Sequence, residues 1–425
     1  TRTNTMSLMN ISYPKYFDSN DFRGLLESLL RKKFGKVALK QYRFEMAANA
    51  GENYGSDVYR VHCEYLKSTN SAEIPCHWTV FVKSMPDTES RQIFIQMNVY
   101  EHEVEMLTNV IPMYAKFSKN ELFAPEILSA LKEPFKVIIL EDLKILNYRM
   151  GNRRSGLDYD HSCLVMKKLG KFHASSLLYM RDGQEKIIKE KLETKLFHPS
   201  NDNTIMGMFV KSSFQALNRL IDSRPDMFSS KLLEKLKSAE DNFADKLTDS
   251  YQRKTKVNVI LHGDLWVTNM MFKYDEETDS KPIDVIFLDF QISSYGSPGI
   301  DLNYFLNTSV EKDVFKQKYD DLVRIYYEAF YSILKDADYK NIPTFEDILS
   351  EIEEKLYIGF FSLATVLPIV AVEKPVAETG DTNQLDALLD ESETSSFRQA
   401  AYNENYLSRI EYPLEKFLQR NIFDS

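Results

Sequence analysis

Three oxygen-bearing side chains recur at a spacing that suits phosphate chemistry. Asp264 lies in the run HGDLWVTN, Asn269 follows it by five residues, and Asp289 comes twenty residues after that, at the end of the apolar run DVIFLDF. Phosphoryl transfer needs one acid to orient the attacking hydroxyl, and a second acid with an amide oxygen to bind magnesium beside the phosphates. We therefore interpret Asp264 as the candidate base and Asn269 and Asp289 as candidate metal ligands.

Each of these residues alone has an ordinary explanation, because acids and amides are common in turns beside strands. The full spaced set is much harder to explain in that way. Both segments contain strand patterns that border a hairpin connection with the sequence DEETDSKP. Side chains at the ends of such strands can converge on one cleft despite their separation in sequence.

A glycine-rich turn upstream is the candidate phosphate-binding element. The run GENYGS, residues 51–56, lies between two strand patterns, where backbone amides outside a ladder can bind phosphate oxygens. A single glycine-rich hairpin is weak evidence by itself. The candidate nucleotide-binding residues of this turn are Asn53, Tyr54, Gly55 and Ser56.

A lysine at the end of an apolar strand is the candidate phosphate ligand. Lys83 follows Val80, Phe81 and Val82, and Glu103 lies on the next predicted helix. In a kinase site such a lysine contacts the α- and β-phosphates of ATP and pairs with the glutamate. Alone, it is equally well explained as a strand lysine whose stem packs on apolar surface.

The elements that must position these residues change in type along the chain. A helix capped by Ser19 or Asn20 is predicted first, then antiparallel strands between Lys40 and Lys83, then a helix over 91–111 that ends before Pro112. The apolar run FKVIILEDLK predicts a buried strand. From Asp160 onward helical patterns dominate, apart from the two strand-rich segments described above and an acidic loop, ETGDTNQLDALLDESETSS.

Composition excludes several classes of function. The 425 residues carry a formal net charge of -10, which disfavours a nucleic-acid partner. Three cysteines without CxxC spacing argue against a zinc site or a disulfide framework and favour a cytoplasmic location. The run IGFFSLATVLPIVAV is shorter than a membrane span and contains Pro368, so it predicts a buried helix and no membrane span. No secretory signal is expected at the start of the sequence, and no protein partner is inferred.

Several of these motifs together resemble the ecdysteroid-kinase-like family of insects, which is choline-kinase-like in fold. The resemblance runs from about Tyr42 to Phe305 and rests on HGDLWVTNMMF, DFQ, GENYGSDVYRV, KSMP, YEHEVEMLTNVIP, ILEDL and LGKFHASSL. It implies an α+β, bilobal protein-kinase-like fold. The small lobe, residues 1–143, would hold an antiparallel sheet and one crossing helix, and the large lobe, residues 144–425, would be mainly helical.

The resemblance also implies roles for individual residues. The HGDxxxxN loop would use Asp264 as base, with Asn269 and Asp289 binding magnesium (Mg2+). His262 would orient the loop rather than carry protons, and Asp301 would bind the loop backbone from a helix start. The hinge that binds adenine is implied at Glu141 and Leu143, with Asp142 between them.

Two positions depart from the pattern of the family. The helix that carries Glu103 has Leu107 where a tyrosine is usual, which concerns packing rather than chemistry. Gln291 replaces the glycine of a protein-kinase DFG motif, which indicates that no flipping activation loop is present.

The length of one segment favours a small acceptor. Only eleven residues separate Asp289 from Asp301, too few for the peptide-docking element of protein kinases. The expected partners are ATP and a small-molecule alcohol, and the resemblance favours an ecdysteroid or a related lipophilic or xenobiotic alcohol. A choline-, ethanolamine- or aminoglycoside-type kinase remains an alternative. A nucleotide-binding pseudokinase scaffold is a second one, although Lys83, Asp264, Asn269 and Asp289 are all present.

Overall fold

The computed structural model describes residues 14–47, 56–68, 72–85, 97–181, 183–192, 205–372 and 396–424. Among these, residues 14–47, 56–68, 72–85 and 127–142 form one compact unit, and the remainder form a second. The segment 97–126 belongs to the second unit, whereas the predicted N-terminal lobe, residues 1–143, includes it. The division predicted after residue 143 stays a prediction.

The first unit begins with a capped amphipathic helix. A 3-10 turn, Lys15–Asp18, leads into α1, Asn20–Phe34. The Ser19 hydroxyl accepts a hydrogen bond from the Phe22 backbone N–H at 3.1 Å, which confirms the predicted cap. Apolar side chains spaced three or four residues apart bury one face of α1, namely Phe22, Leu26, Leu29 and Leu30.

The first unit also contains one antiparallel sheet of five strands. Its strands are β1 Val37–Met46, β2 Asp57–Ser68, β3 Glu73–Ser84, β4 Ile127–Leu131 and β5 Val137–Glu141. Their order is β1-β2-β3-β5-β4. Alternate residues of β2, Tyr59, Val61, Cys63 and Tyr65, belong to the hydrophobic core that also contains the apolar face of α1. The antiparallel strands predicted from the sequence are thereby confirmed.

The second unit contains short strands that matter for the site. They are β6 Tyr148–Met150, β7 Val259–Leu261, β8 Met270–Tyr274, β9 Pro282–Phe287 and β10 Ser294–Gly296. The β8–β9 hairpin forms a three-stranded sheet with β6, and β10 pairs with β7. The turn DEETDSKP joins β8 to β9, as predicted.

The rest of the second unit is mainly helical. Its helices are α2 Val99–Glu105, α3 Ile111–Tyr114, α4 Tyr159–Met180, α5 Glu185–Lys191, α6 Ile205–Asp222, α7 Ser230–Ala239, α8 Phe243–Gln252, α9 Pro298–Thr308, α10 Lys312–Asp336, α11 Phe345–Glu354, α12 Leu356–Thr365, α13 Leu367–Ala371, α14 Ser396–Ala401 and α15 Glu404–Gln419. An antiparallel N-terminal sheet followed by a mainly helical part confirms the predicted α+β, protein-kinase-like fold class. The predicted acidic loop lies almost entirely outside the described residues.

One predicted helix boundary is wrong. The helix does not end before Pro112: α2 continues through a π-helical turn, Met106–Val110, into α3. Pro112 occupies the first turn of α3, where a missing backbone N–H is tolerated. Residues 91–96, where this helix was predicted to begin, lie outside the described residues.

The apolar run from Ile358 to Val372 is buried, as predicted. It forms most of α12 and all of α13, with Pro368 in the first turn of α13. Each helix among the described residues falls short of the length or the apolar character that a bilayer span requires.

Candidate active site

The β8–β9 hairpin brings two of the predicted residues next to each other. Met270 pairs with Phe287 at the open end of the hairpin. One residue further out, the Leu288 backbone N–H donates to the Asn269 carbonyl oxygen at 2.8 Å. Asn269 therefore immediately precedes β8 on one side, and Asp289 follows β9 on the other. The strand pairing explains how residues twenty positions apart reach one end of a sheet.

Asn269 also binds the third predicted residue directly. It ends a 3-10 turn, Val267–Asn269, that folds the loop back on itself. Its side-chain N–H2 group donates to the Asp264 carbonyl oxygen and to Asp264 Oδ2, both at 2.9 Å. Since the nitrogen is engaged with Asp264, the amide oxygen is the atom of Asn269 that could bind a metal.

A tyrosine that the sequence analysis did not select holds the other oxygen of Asp264. The Tyr304 hydroxyl donates to Asp264 Oδ1 at 2.6 Å. Burial and the negative charge of Asp264 keep the pKa of Tyr304 well above its usual value, so it remains a donor. Its position on α9, three residues after Asp301, was the available sequence signal, because residues three apart share a helix face.

The environment of Asp264 makes it a stronger base than an ordinary aspartate. Burial raises its pKa from 3.8 to about 6, and the negative charge of Asp289 adds to this effect. Hydrogen bonds from Tyr304 and Asn269 act in the opposite direction. A carboxylate with this pKa is ionised at neutral pH and can accept a proton close to the operating pH.

Asp301 holds the backbone of the loop that carries Asp264. Its two oxygens accept the backbone N–H groups of His262 at 2.7 Å and Gly263 at 2.9 Å. These contacts confirm that an acid near the start of a helix binds this loop. Burial alone would raise the pKa of Asp301, but its interactions with His173 and His262 and the hydrogen bond from the Gly263 N–H outweigh burial and lower it.

A histidine and a tyrosine lie behind Asp301, and the sequence analysis assigned neither of them. His173 Nε2 lies 3.1 Å from Asp301 Oδ2, and His173 Nδ1 lies 2.8 Å from the Tyr326 hydroxyl. All three side chains are buried. His173 lies in the apolar C-terminal half of α4, which was the signal in the sequence, but its partner on α9 is 128 positions away.

His262 supports the loop rather than carrying protons. Its Nε2 atom lies 2.9 Å from the Leu288 carbonyl oxygen, and its Nδ1 atom accepts the Asp264 backbone N–H at 3.3 Å. This pattern corresponds to a neutral ring protonated at Nε2. Burial lowers the pKa of His262, which favours the neutral form. The ring thereby joins the loop of Asp264 to the residue directly before Asp289.

Two residues of the site have backbone conformations in the left-handed region. Gly263 has φ +88°, and a Cβ atom there would lie 2.2 Å from the Ile292 carbonyl oxygen, so both conformation and space favour glycine. Asp289 has φ 64°, which is uncommon for a residue with a side chain. Such backbone strain occurs where the surrounding structure requires it, and active sites are frequent examples.

The predicted nucleotide-binding residues of the first unit are only partly described. Lys83 lies on β3 and is buried, opposite Val58 of β2 and Ile138 of β5. Ser56 is buried directly before β2, and Glu141 ends β5 with a half-buried side chain. Asn53, Tyr54 and Gly55 lie outside the described residues.

The remaining predicted residues belong to the second unit. Glu103 is buried on α2. Leu143 is buried at the start of the 3-10 turn Leu143–Leu146, where it packs with Tyr148 and Ile286. The predicted pairing of Lys83 with Glu103 and the predicted hinge contacts to adenine stay predictions.

Asp142, in the predicted hinge, has a structural partner within the first unit. Arg60 on β2 donates to both carboxylate oxygens of Asp142, at 2.7 and 3.3 Å. The Asp142 side chain is almost fully buried, and such bidentate pairs are geometrically specific. This ion pair ties the residue that follows β5 to β2, across the intervening strand β3.

The donor set at Asn269 and Asp289 suits Mg2+. A carboxylate and an amide oxygen are hard ligands, and magnesium is commonly bound by one or two protein groups together with phosphate oxygens and water. In the described part of the chain, no group of three or more His, Cys, Asp or Glu side chains is arranged to hold a metal. A site that relies on phosphates for its remaining ligands does not need one.

The chain is similar to a known protein family in sequence and to solved structures in fold. Residues 50–339 match the model of the ecdysteroid kinase-like family. No curated protein is significantly similar to the chain in sequence. The matching solved structures include glucosamine kinase in complex with glucosamine, ADP and inorganic phosphate, at 12% identity and TM-score 0.33, covering 81% of this chain and 95% of that one. Crystal form A of glucosamine kinase matches at 13% identity and TM-score 0.34, with 84% and 79% covered.

Proposed function

We propose that the chain, which belongs to the ecdysteroid kinase-like family, transfers the γ-phosphate of ATP to a hydroxyl of a small molecule. The observation that carries this proposal is the convergence of three residues at the open end of the β8–β9 hairpin. Asp264 is hydrogen-bonded to Asn269, and its pKa responds to the charge of Asp289. Base and metal ligands must be this close for phosphoryl transfer.

Each candidate site residue near the β8–β9 hairpin then has a role in the reaction. Asp264 accepts a hydrogen bond from the acceptor hydroxyl and takes its proton as the new oxygen–phosphorus bond forms. Asn269 and Asp289 would hold Mg2+, which when bound neutralises charge on the phosphates. His262 and Asp301 keep the loop in place and exchange no proton. Because the transferred phosphoryl group is only loosely bonded, most of the rate enhancement comes from positioning and charge neutralisation.

The nucleotide side of the proposal rests on residues of both units. Lys83 would contact the α- and β-phosphates and Glu103 would pair with it. Backbone amides of residues 53–56 would bind phosphate oxygens, and Glu141 and Leu143 would contact adenine through their backbone groups. Burial of Lys83 and Glu103 supports these roles, since a buried charge needs a partner or a ligand.

The segment between Asp289 and Asp301 supports a small acceptor. Its eleven residues are occupied by a turn, the three-residue strand β10 and the start of α9. Such a segment offers no long loop on which a peptide substrate could dock. We propose an ecdysteroid or a related lipophilic or xenobiotic alcohol as the acceptor, on the basis of the family.

A panel of candidate acceptors tests the proposal. The full chain is incubated with ATP and magnesium chloride and with steroid alcohols, choline, ethanolamine or aminoglycosides, and phosphorylated products are detected by mass spectrometry. A product from choline, ethanolamine or an aminoglycoside, but from no steroid alcohol, would replace the proposed acceptor class. ATP binding without any phosphorylated product would favour a pseudokinase scaffold.

Asp264→Asn tests the role of the base. We expect turnover to fall by about 10²–10⁴-fold, the usual contribution of a general base, while the Kd for ATP changes little. Asp313→Asn is the control, because Asp313 is an exposed acid in the first turn of α10. Wild-type turnover in Asp264→Asn would show that Asp264 is not the base.

A further inference from the structure

Two donors hold the carboxylate of Asp264 from both sides. The Tyr304 hydroxyl donates to Oδ1 at 2.6 Å, and the Asn269 amide donates to Oδ2 at 2.9 Å. The rotation of a carboxylate about its Cβ–Cγ bond is otherwise broadly distributed. One hydrogen bond on each oxygen restricts that rotation and leaves further lone pairs available. The direction in which Asp264 presents those lone pairs therefore depends on both donors.

One helix positions both the backbone and the side chain of the loop. On α9, Asp301 binds the backbone N–H groups of His262 and Gly263, and Tyr304, one turn later, binds the side chain of Asp264. Every side chain of α9 is buried. Close packing on all sides of a helix prevents its rings from changing rotamer freely. The Tyr304 hydroxyl is thus held at a fixed place relative to the loop.

We propose that Tyr304 is a positioning residue for phosphoryl transfer, which rests on the proposed function. Its hydroxyl sets the rotation of the Asp264 carboxylate so that a lone pair faces the acceptor hydroxyl. Asp264 takes the proton of that hydroxyl, the acceptor oxygen bonds to the γ-phosphorus, and the bond between this phosphorus and the leaving oxygen of ADP breaks. Tyr304 keeps its own proton throughout.

A purely structural tyrosine would behave differently when its hydroxyl is removed. The loss of a buried hydrogen bond lowers the stability of the folded protein. It does not change kcat for the molecules that remain folded. A positioning residue instead lowers kcat and leaves KM for ATP nearly unchanged, because it acts through the base and not through the nucleotide.

Tyr304→Phe, which keeps the ring, is the test variant. We expect kcat to fall between roughly 10-fold and 100-fold, the scale on which a small misplacement of a reacting group reduces rate. KM for ATP should change by less than about twofold. Turnover is measured with ATP and magnesium chloride, using the fastest acceptor of the panel above and, separately, water as acceptor.

Tyr357→Phe is the matched control. Tyr357 is a buried tyrosine of α12 whose hydroxyl has no hydrogen-bond partner in the described part of the chain. Removing this hydroxyl should leave kcat at the wild-type value. A wild-type kcat in Tyr304→Phe, or an equal loss in both variants, would overturn the role of Tyr304.

A rescue variant covers the case in which Tyr304→Phe does not fold. With 4-aminophenylalanine at position 304, an N–H donor occupies the place of the hydroxyl. This variant should reach most of the wild-type kcat, whereas a low kcat in the folded protein would contradict the proposal. Folding is checked by circular dichroism and by the midpoint of thermal unfolding.

Asp264→Asn distinguishes the role of Tyr304 from the proposed function. If Asp264→Asn loses turnover and Tyr304→Phe does not, Tyr304 has no positioning role and the kinase assignment stands. If Asp264→Asn retains wild-type turnover, the kinase mechanism itself is wrong. Adding Tyr304→Phe to Asp264→Asn should cause little further loss, since residues that act as a unit are not additive. A full independent loss in the double variant would show that Tyr304 does not act through Asp264.

Discussion

Asp301→Asn should destabilise the protein by loosening the loop that carries Asp264. The carboxylate accepts three hydrogen bonds, from the backbone N–H groups of His262 and Gly263 and from His173. Asparagine has nearly the same shape, but its single oxygen replaces two and its N–H2 group faces a donor. A hydrogen bond to a charged group contributes about 1.5–3 kcal/mol, and an unpaired buried donor costs about 1–3 kcal/mol. These effects sum to about 2.5–6 kcal/mol, and we expect a loss of about 3–5 kcal/mol, the range found when a buried charged pair loses one partner.

The loss converts into a measurable change in the unfolding temperature. For 425 residues, the entropy of unfolding is about 0.9 kcal/mol per kelvin. Tm should therefore fall by roughly 3–6 °C in differential scanning calorimetry. Asp313→Asn removes an exposed acid from the first turn of α10, where the helix dipole is worth at most about 1 kcal/mol, so Tm should fall by about 1 °C or less. A Tm for Asp301→Asn as close to wild type as that of the control would refute the role of this carboxylate.

The effect of Asp301→Asn should also depend on pH. The folded protein holds the pKa of Asp301 below its ordinary value of 3.8, so the folded state binds the proton less readily than the unfolded state. The stability that the charge contributes is complete above pH 3.8 and is lost as the pH falls through the folded pKa. The Tm difference between wild type and Asp301→Asn should be constant at neutral pH and should narrow under acidic conditions. A difference that widens on acidification would contradict the assigned direction.

Three further substitutions test packing and metal binding. Gly170→Ala should lower the free energy of unfolding by about 1–3 kcal/mol, because a Cβ atom there would lie 2.3 Å from the Tyr326 carbonyl oxygen. A midpoint of urea denaturation equal to that of the wild type would contradict this packing. Gly24→Ala, in α1 with nothing within 4 Å of a Cβ atom, should instead stabilise by about 0.5–1 kcal/mol, and a loss would show that α1 does not tolerate a side chain there. Asp289→Ala should abolish the magnesium-dependent part of the thermal stabilisation by ATP, since it removes a proposed ligand; an unchanged shift would exclude Asp289 as that ligand.

Local features of the fold were predictable from the sequence. The Ser19 cap, the antiparallel strands and the β8–β9 hairpin follow from capping preference, from the period-2 pattern and from turn composition. Each of these depends on residues close together along the chain. The helix boundary at Pro112 was wrong because a π-helical turn precedes the proline, and nothing in the local pattern announces such a turn.

The candidate site was predictable to the extent that its spacing is short. Asp264 and Asn269 are five residues apart, and Asp289 follows after one hairpin, so sequence order alone places them near each other. The burial that raises the pKa of Asp264 to about 6 was not visible in that spacing. It arises from residues packed around the loop in three dimensions.

Only the tertiary structure decided which residues hold the loop from behind. Tyr304 of α9 contacts Asp264, which is 40 residues away in the sequence. His173 of α4 contacts Asp301, 128 residues away, and Tyr326 of α10, 153 residues away. In the sequence each is one aromatic or histidine residue among the apolar residues on the buried face of a helix. Whether such a side chain fills the core or binds a catalytic group depends on how the helices pack, because a polar group loses its bonds to water on burial and must find its partner there. The sequence by itself determined which polar residues the loop carries and at what spacing, and the packing of the helices determined the groups that hold it.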